Sequence, residues 1–375
     1  MPEFQPFAME RMMSKWENVV DINLSESGVH PMTLGELLEM DGSDIGALAD
    51  ISFHYPQANG LVELRELIAA MYPGATADDV LVTVGAAEAN YLAITTFLAP
   101  GDEVVVVLPN YMKIWGIATN HGVRVRESHL RVDQDWALDA AALDAAVGPD
   151  TRMICVCNPN NPTGRIMSEA EMDTVVAAAE RVGAWLLADE VYRGAERERN
   201  EETPSFFGRY DKVLAQGSMS KAYGLPGLRV GWTVGPAAAV DEMWKRHEYT
   251  TIATTMLSNH LTAIALSPEV RPKILARTRL RLKGGYGLLR EWLSEQDGVF
   301  TGTPPDPAAI AFLRYDLDIN STAWMEQLRD EKKVLLVPGD HFGLDHHIRL
   351  SFALPEPELL EGLERIGESV AQLRS

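Results

Sequence analysis

The run Glu103-Val104-Val105-Val106-Val107-Leu108, stopped by Pro109, decides how this chain is read. Four consecutive valines favour a strand, because β-branched side chains pack well on a pleated surface and lose rotamer freedom in a helix. The run is apolar without alternation. That is the mark of a strand buried on both faces, as in a parallel sheet covered by helices. Working outward, similar runs lie at 80–84, 152–157, 185–188, 213–216 and 230–234, with helical patterns at 87–98 and 169–182 between them. Strands alternating with helices build βαβ units, so the expected class is α/β, doubly wound.

Beyond about residue 237 the pattern changes. Long helices are expected at 237–265 and 268–296, short strands at 309–315, 334–337 and 347–352, and a last helix at 357–373. This reads as a smaller α+β domain. Residues 1–44 are too few to form a core alone and are expected to pack on it. The domain reading is therefore 45–267 for the large domain, and 1–44 with 268–375 for the small one. A length of 375 residues suits two domains.

There are 33 Lys+Arg against 54 Asp+Glu, a net charge of −21. Nucleic acid and anionic membrane both favour a basic face, so neither is an expected partner. With 46% hydrophobic residues the chain can fill a core without a metal or disulfide staple. Cys155 and Cys157 sit two apart on one strand, a poor disulfide geometry, and two thiols alone make no zinc site. Buried, reduced cysteines and no metal are expected. No apolar stretch reaches the ~18 residues of a membrane span. Residues 1–20 mix charges and lack a signal peptide's apolar core. A cytoplasmic protein is expected.

Four segments carry chemistry. Ser218-Met219-Ser220-Lys221 follows a strand, with Arg229 eight residues beyond the lysine. A lysine becomes nucleophilic near neutral pH when desolvated or set beside another cation. Hydroxyls and an arginine around it look like an anion cradle, and a Schiff-base lysine beside a phosphate site is the natural reading. Asp189-Glu190-Val191-Tyr192 ends an apolar strand, where α/β ligands bind. A carboxylate there can pair with a protonated ring nitrogen. Asn158-Pro159-Asn160-Asn161-Pro162-Thr163-Gly164 follows another strand end, and Gly85-Ala86-Ala87 opens a helix whose N–H groups can meet a phosphate. Each alone has an ordinary explanation: a surface lysine, a helix N-cap, a Pro/Gly turn.

Taken in order, these segments resemble the fold-type-I pyridoxal-phosphate enzymes, in the class I and II aminotransferase branch. The resemblance runs from Tyr55 to Arg349. It implies a mostly parallel seven-stranded sheet covered by helices, a smaller α+β domain, and pyridoxal 5′-phosphate as cofactor. It implies catalytic roles for Lys221, Asp189 and Tyr192. Lys221 would carry the cofactor and shuttle a proton, and Asp189 would keep the ring nitrogen protonated. Asn161 and Tyr192 would bond the 3-hydroxyl oxygen, and Tyr111 would stack on the ring. Gly85, Ala86, Ala87, Ser218, Ser220 and Arg229 would hold the phosphate. Tyr55 would reach the phosphate of a neighbouring subunit, which implies a homodimer with shared sites. Arg349, in Ile-Arg-Leu-Ser-Phe, would grip the substrate α-carboxylate, with Asn161 beside it.

Two stretches depart from the common pattern. Asn23-Leu24-Ser25-Glu26-Ser27-Gly28-Val29 replaces the usual Gly-x-Pro stretch. It is similar to that of arginine-handling antibiotic-biosynthesis enzymes, the capreomycidine synthases and pyridoxal-phosphate arginine hydroxylases. That likeness puts Glu26 and Gly28 on the substrate side, against a plain reading of Glu26 as a solvated or capping glutamate. Glu248-Tyr249-Thr250-Thr251 has no role from sequence. The expected activity is transamination between an amino acid and a keto acid. The alternative is a cyclase, lyase, oxidase or hydroxylase of the same fold acting on an arginine-like amino acid in specialised metabolism. A non-catalytic domain is disfavoured by the intact Lys221 and Asp189.

Overall fold

In a computed structural model of the chain, residues 4–306 and 308–375 are described. The first three residues of the 1–20 stretch lie outside them. Seven strands form one sheet in the order Val80–Thr83, Gly231–Val234, Val213–Ser218, Trp185–Asp189, Thr151–Cys157, Glu103–Leu108, Arg124–His129. Gly231–Val234 runs antiparallel to both neighbours, and the remaining pairs are parallel. The other six strands therefore all end at one edge of the sheet.

The valine run does what its sequence demands. Val104 and Val106 enter one apolar cluster with Leu92 and Met243, and Val105 and Val107 enter the opposite one with Val175 and Met172. Both faces are thus covered by helices. One cover helix, Glu169–Val182, starts on a Ser168–Glu171 capping box and stops at Gly183 in the left-handed region, φ 66°. Cys155 and Cys157 are buried and free, and burial pushes both thiols up.

A four-stranded antiparallel sheet follows, in the order Val337–Pro338, His347–Ser351, Ile310–Tyr315, Phe300–Thr301. Helices Ser321–Lys332 and Glu356–Arg374 accompany it. Ile22–Asn23 pairs in parallel with Val334–Leu335, which fastens the N-terminal segment to this part. The helix Ala8–Trp16 does more than that: Glu10 also accepts a hydrogen bond from Tyr111 of the large-sheet region.

Two expectations need correction. The helix expected at 237–265 is two helices, Ala237–His247 and Met256–Leu266. Between them stand four threonines and Ile252, poor helix formers, and Thr255 caps the second helix by accepting from Ser258 N at 3.1 Å. The strand expected at 334–337 is two short strands in different sheets.

Candidate active site

A cavity of about 290 Å³ opens at the C-terminal edge of the large sheet. Asp189, the last residue of its strand, lines it and is 3% exposed. Burial pushes its carboxyl up to about 6; the Val191 N–H, the Asn90 side chain and the ammonium groups of Lys221 and Lys113 oppose that rise. The Val191 N–H donates to Oδ1 at 3.2 Å. Such a carboxylate is poised to pair with a ring-nitrogen proton delivered into the same cavity.

The residues expected around a phosphate come from two strand exits. Gly85 opens the helix Gly85–Phe97 at φ 73°, and a Cβ there would lie 2.5 Å from Arg229 Nη2. Only glycine lets the guanidinium approach the helix start so closely. Arg229 Nη1 sits 3.4 Å from Ser220 Oγ and donates to Pro226 O at 3.0 Å. The Ser220 N–H donates to Ser218 Oγ at 3.0 Å. Ala86 and Ala87, together with Ser218, Ser220, Lys221 and Arg229, face the cavity. Free N–H groups at a helix start, a guanidinium and two hydroxyls suit a dianion.

Lys221 Nζ lies 3.9 Å from Glu26 Oε2. Gly28 packs behind that lysine: a Cβ there would come within 2.8 Å of Ser220 O. Tyr192 is buried and donates to Ser27 Oγ at 3.0 Å. Arg349 is 1% exposed; its Nη1 donates to Asn161 Oδ1 at 3.0 Å and its Nη2 to Ser25 O at 2.6 Å. Its Nε is buried without a partner, and so is Asn90 Oδ1. An orphaned guanidinium N–H beside a cavity awaits an anion.

All but three of the residues expected from sequence line one cavity. Gly85 and Gly28 stand just behind its wall. Tyr55 is 83% exposed and stands outside the cavity of its own chain. Among the lining residues that sequence reading did not assign to the site, four carry an amide or a charged group: Asn90, Lys113, Glu10 and Glu17. Asn90 is a buried amide in an apolar helix, a signal that was available. Lys113, two residues past Tyr111, has its pKa pushed down by burial. Glu10 and Glu17 arrive on a face spaced 10, 13, 17 that also carries Met13. Burial, with repulsion from Glu26 and Glu10, pushes the Glu17 carboxyl up.

Comparison with known proteins agrees with this geometry. The pattern defining the family "Aminotransferase class I and II" matches residues 47–366. The capreomycidine synthase of Streptomyces vinaceus is 32% identical over 359 residues, 93% of this chain and 89% of that one. A PLP-dependent aminotransferase from Streptococcus suis superposes with a TM-score of 0.92 at 29% identity, covering 99% of both chains. The PLP-dependent cyclase OrfR superposes with a TM-score of 0.90 at 26% identity, covering 100% of this chain and 99% of that one. With a lysine, a strand-end carboxylate and an anion cradle around one cavity, the chain belongs to the class I and II aminotransferase family, and its cofactor is pyridoxal 5′-phosphate.

Proposed function

We propose that this enzyme moves an amino group between an amino acid and a keto acid, with Lys221, Asp189 and Tyr192 at the reacting atoms. The observation that carries this is the buried Arg349, with an unpartnered Nε, facing the same cavity as Lys221 and Asp189. The bound cofactor supplies an electrophilic carbon and an electron-withdrawing ring. Lys221 would hold the cofactor through its amine and, once the substrate's amine has displaced it, would be the free base that carries the proton. Asp189, whose carboxyl burial pushes up to about 6, would keep a proton on the ring nitrogen, and that cationic nitrogen would in turn favour the ionised carboxylate. Asn161 gives its oxygen to Arg349, so its amide nitrogen is left to donate to the 3-oxygen. Tyr192 would turn its hydroxyl from Ser27 to the same oxygen, and Tyr111 would stack on the ring. Arg349 orients the α-carboxylate by a fork of N–H donors.

A second reading concerns the substrate. Glu10, Glu17 and Glu26 line the cavity together, and burial first, then repulsion from Glu26 and Glu10, pushes the Glu17 carboxyl up. Three carboxylates favour a cationic, arginine-like side chain. The likeness to capreomycidine synthase and to a cyclase supports cyclisation or hydroxylation in antibiotic metabolism as the alternative chemistry, using the same lysine and aspartate. The exposed Tyr55 is consistent with a homodimer whose sites are shared, and the free, buried cysteines with the cytoplasm. Among the described residues no helix is long and apolar enough to cross a membrane. The domain division at 44/45 and 267/268 is supported by sheet membership, since all seven strands of the large sheet fall within 80–234.

The experiment is to add amino acids one at a time, without acceptor, and follow the bound cofactor's spectrum alongside keto acid. Bleaching with one keto acid formed per site supports transfer. Ammonia release, or a lasting long-wavelength band without keto acid, supports the alternative.

A further inference from the structure

The stretch at 248–251, without a role from sequence, closes on Glu88 in the first turn of the helix Gly85–Phe97. Glu88 is 9% exposed and its partner His247 is fully buried. The carboxylate collects four donors. Oε2 accepts from Val84 N at 2.7 Å. Oε1 accepts from His247 Nδ1 at 3.1 Å, from Thr251 Oγ1 at 2.7 Å, and from Thr250 Oγ1. Burial pushes this carboxyl up, but the hydrogen bonds from His247, Thr250 and Val84 outweigh it and hold it at about 2. His247 Nε2 is buried without a partner. Since a carboxylate only accepts, the ring carries a proton on Nδ1.

Ala86, Ala87 and Asn90 of the same helix line the cavity, and Glu88 lies behind them on the side of the 247–251 turn. That turn needs holding. Ile252 is β-branched yet sits at φ 69°, a region its side chain disfavours. Tyr249 beside it is 93% exposed and adds little packing.

We propose that Glu88 is a positioning residue for the cofactor's phosphate. By accepting from Val84 and the two threonines, it pins the helix start to the 247–251 turn. The N–H groups of Gly85, Ala86 and Ala87 then stay aimed into the cavity. The proposal rests on pyridoxal phosphate as the cofactor. A purely electrostatic view predicts the opposite sign, because an anion in the first helical turn opposes a phosphate bound there.

The test compares the full-length apoprotein with Glu88→Gln and the milder Thr251→Val. Dissociation constants are measured by fluorescence for pyridoxal phosphate and for pyridoxal, which lacks the phosphate. Phosphorus NMR of the bound cofactor is the second readout. Glu88→Gln should weaken pyridoxal phosphate binding about tenfold to hundredfold and pyridoxal binding by less than about threefold. Thr251→Val should shift the same ratio in the same direction by less, and it decides the matter if Glu88→Gln fails to fold. The phosphorus resonance should move in both variants. Equal weakening of both ligands would overturn the proposal, as would unchanged or tighter binding of pyridoxal phosphate. If the parent bound both compounds equally, the phosphate cradle would fall, and this proposal with it.

Discussion

The floor and the roof of the cavity are built from different materials. At the floor, Asp189 and Ser218 sit on the last positions of sheet strands, with Lys221 three residues past one of them. Ladder hydrogen bonds fix those positions, and both strand-end side chains are buried. At the roof, Glu10, Glu17 and Glu26 come from a short helix, its C-cap and a loop. Glu10 and Glu26 are exposed and Glu17 is half-buried. The roof's helix is attached through side chains, such as Tyr111 to Glu10 and the Trp16 ring under Arg329 at 4.3 Å. The Glu26 loop is instead tied at its ends by backbone bonds, Leu24 N to Leu335 O at 2.9 Å and Val29 N to Lys221 O at 3.4 Å. Groups whose chemistry tolerates little displacement stand on rigid elements. The roof carboxylates, proposed above to face the substrate's side chain, stand where sequence can change without disturbing the sheet.

This division is broken most sharply at Lys221. Lys221→Ala should abolish turnover and leave the cofactor removable by gel filtration, read from its absorbance. A variant keeping most of the parent's activity would contradict the floor assignment. Next comes Asp189→Asn, which removes the charge that holds the ring-nitrogen proton. A loss of at least ~10³-fold in kcat is expected, about 4 kcal/mol. A loss below tenfold would place that proton elsewhere.

The same residue predicts a stability effect without cofactor. The Asp189 carboxyl is raised from 3.8 to about 6, so the folded apoprotein binds a proton there that the unfolded chain has released. Its penalty is absent below 3.8, grows as pH rises to about 6, and is constant above. Apo Asp189→Asn should therefore match the parent in acid and exceed it near neutrality by up to about 3 kcal/mol. Urea denaturation at the two pH values measures this. A gap that does not change with pH would mean that Asp189 is not held up by burial.

The roof should respond differently. Glu26→Gln or Glu17→Gln should leave cofactor binding intact and erase a preference for cationic over neutral amino acids. A carboxylate–guanidinium pair is worth roughly 1.5–3 kcal/mol, about tenfold to hundredfold in kcat/KM. Parent kinetics favouring aromatic or aliphatic amino acids would end that reading and leave the floor untouched.

What could be read from sequence follows the same line. Six strands of the large sheet announce themselves as apolar runs because both their faces are covered. The seventh, Arg124–His129, is an edge strand whose residues are mostly exposed, so Arg-Val-Arg-Glu-Ser-His carries no core signal. The floor residues follow strands, and it is their order and spacing together, not any one of them alone, that marks them in the sequence. Glu10 and Glu17 carry no such mark, because charges on one face of a short helix usually mean solvent. The clamp of Thr250 and Thr251 on Glu88 joins residues more than 160 apart in the chain, and only the fold brings them together. Tyr55 is exposed on its own chain, and only the family resemblance gives it a role.

The most direct test of amino-group transfer follows the nitrogen itself. The enzyme, loaded with pyridoxal phosphate, is given an amino acid labelled with heavy nitrogen and an unlabelled keto acid. The account predicts the label in the new amino acid made from that keto acid. Label recovered as ammonium, or retained in a cyclised or hydroxylated product, would contradict it.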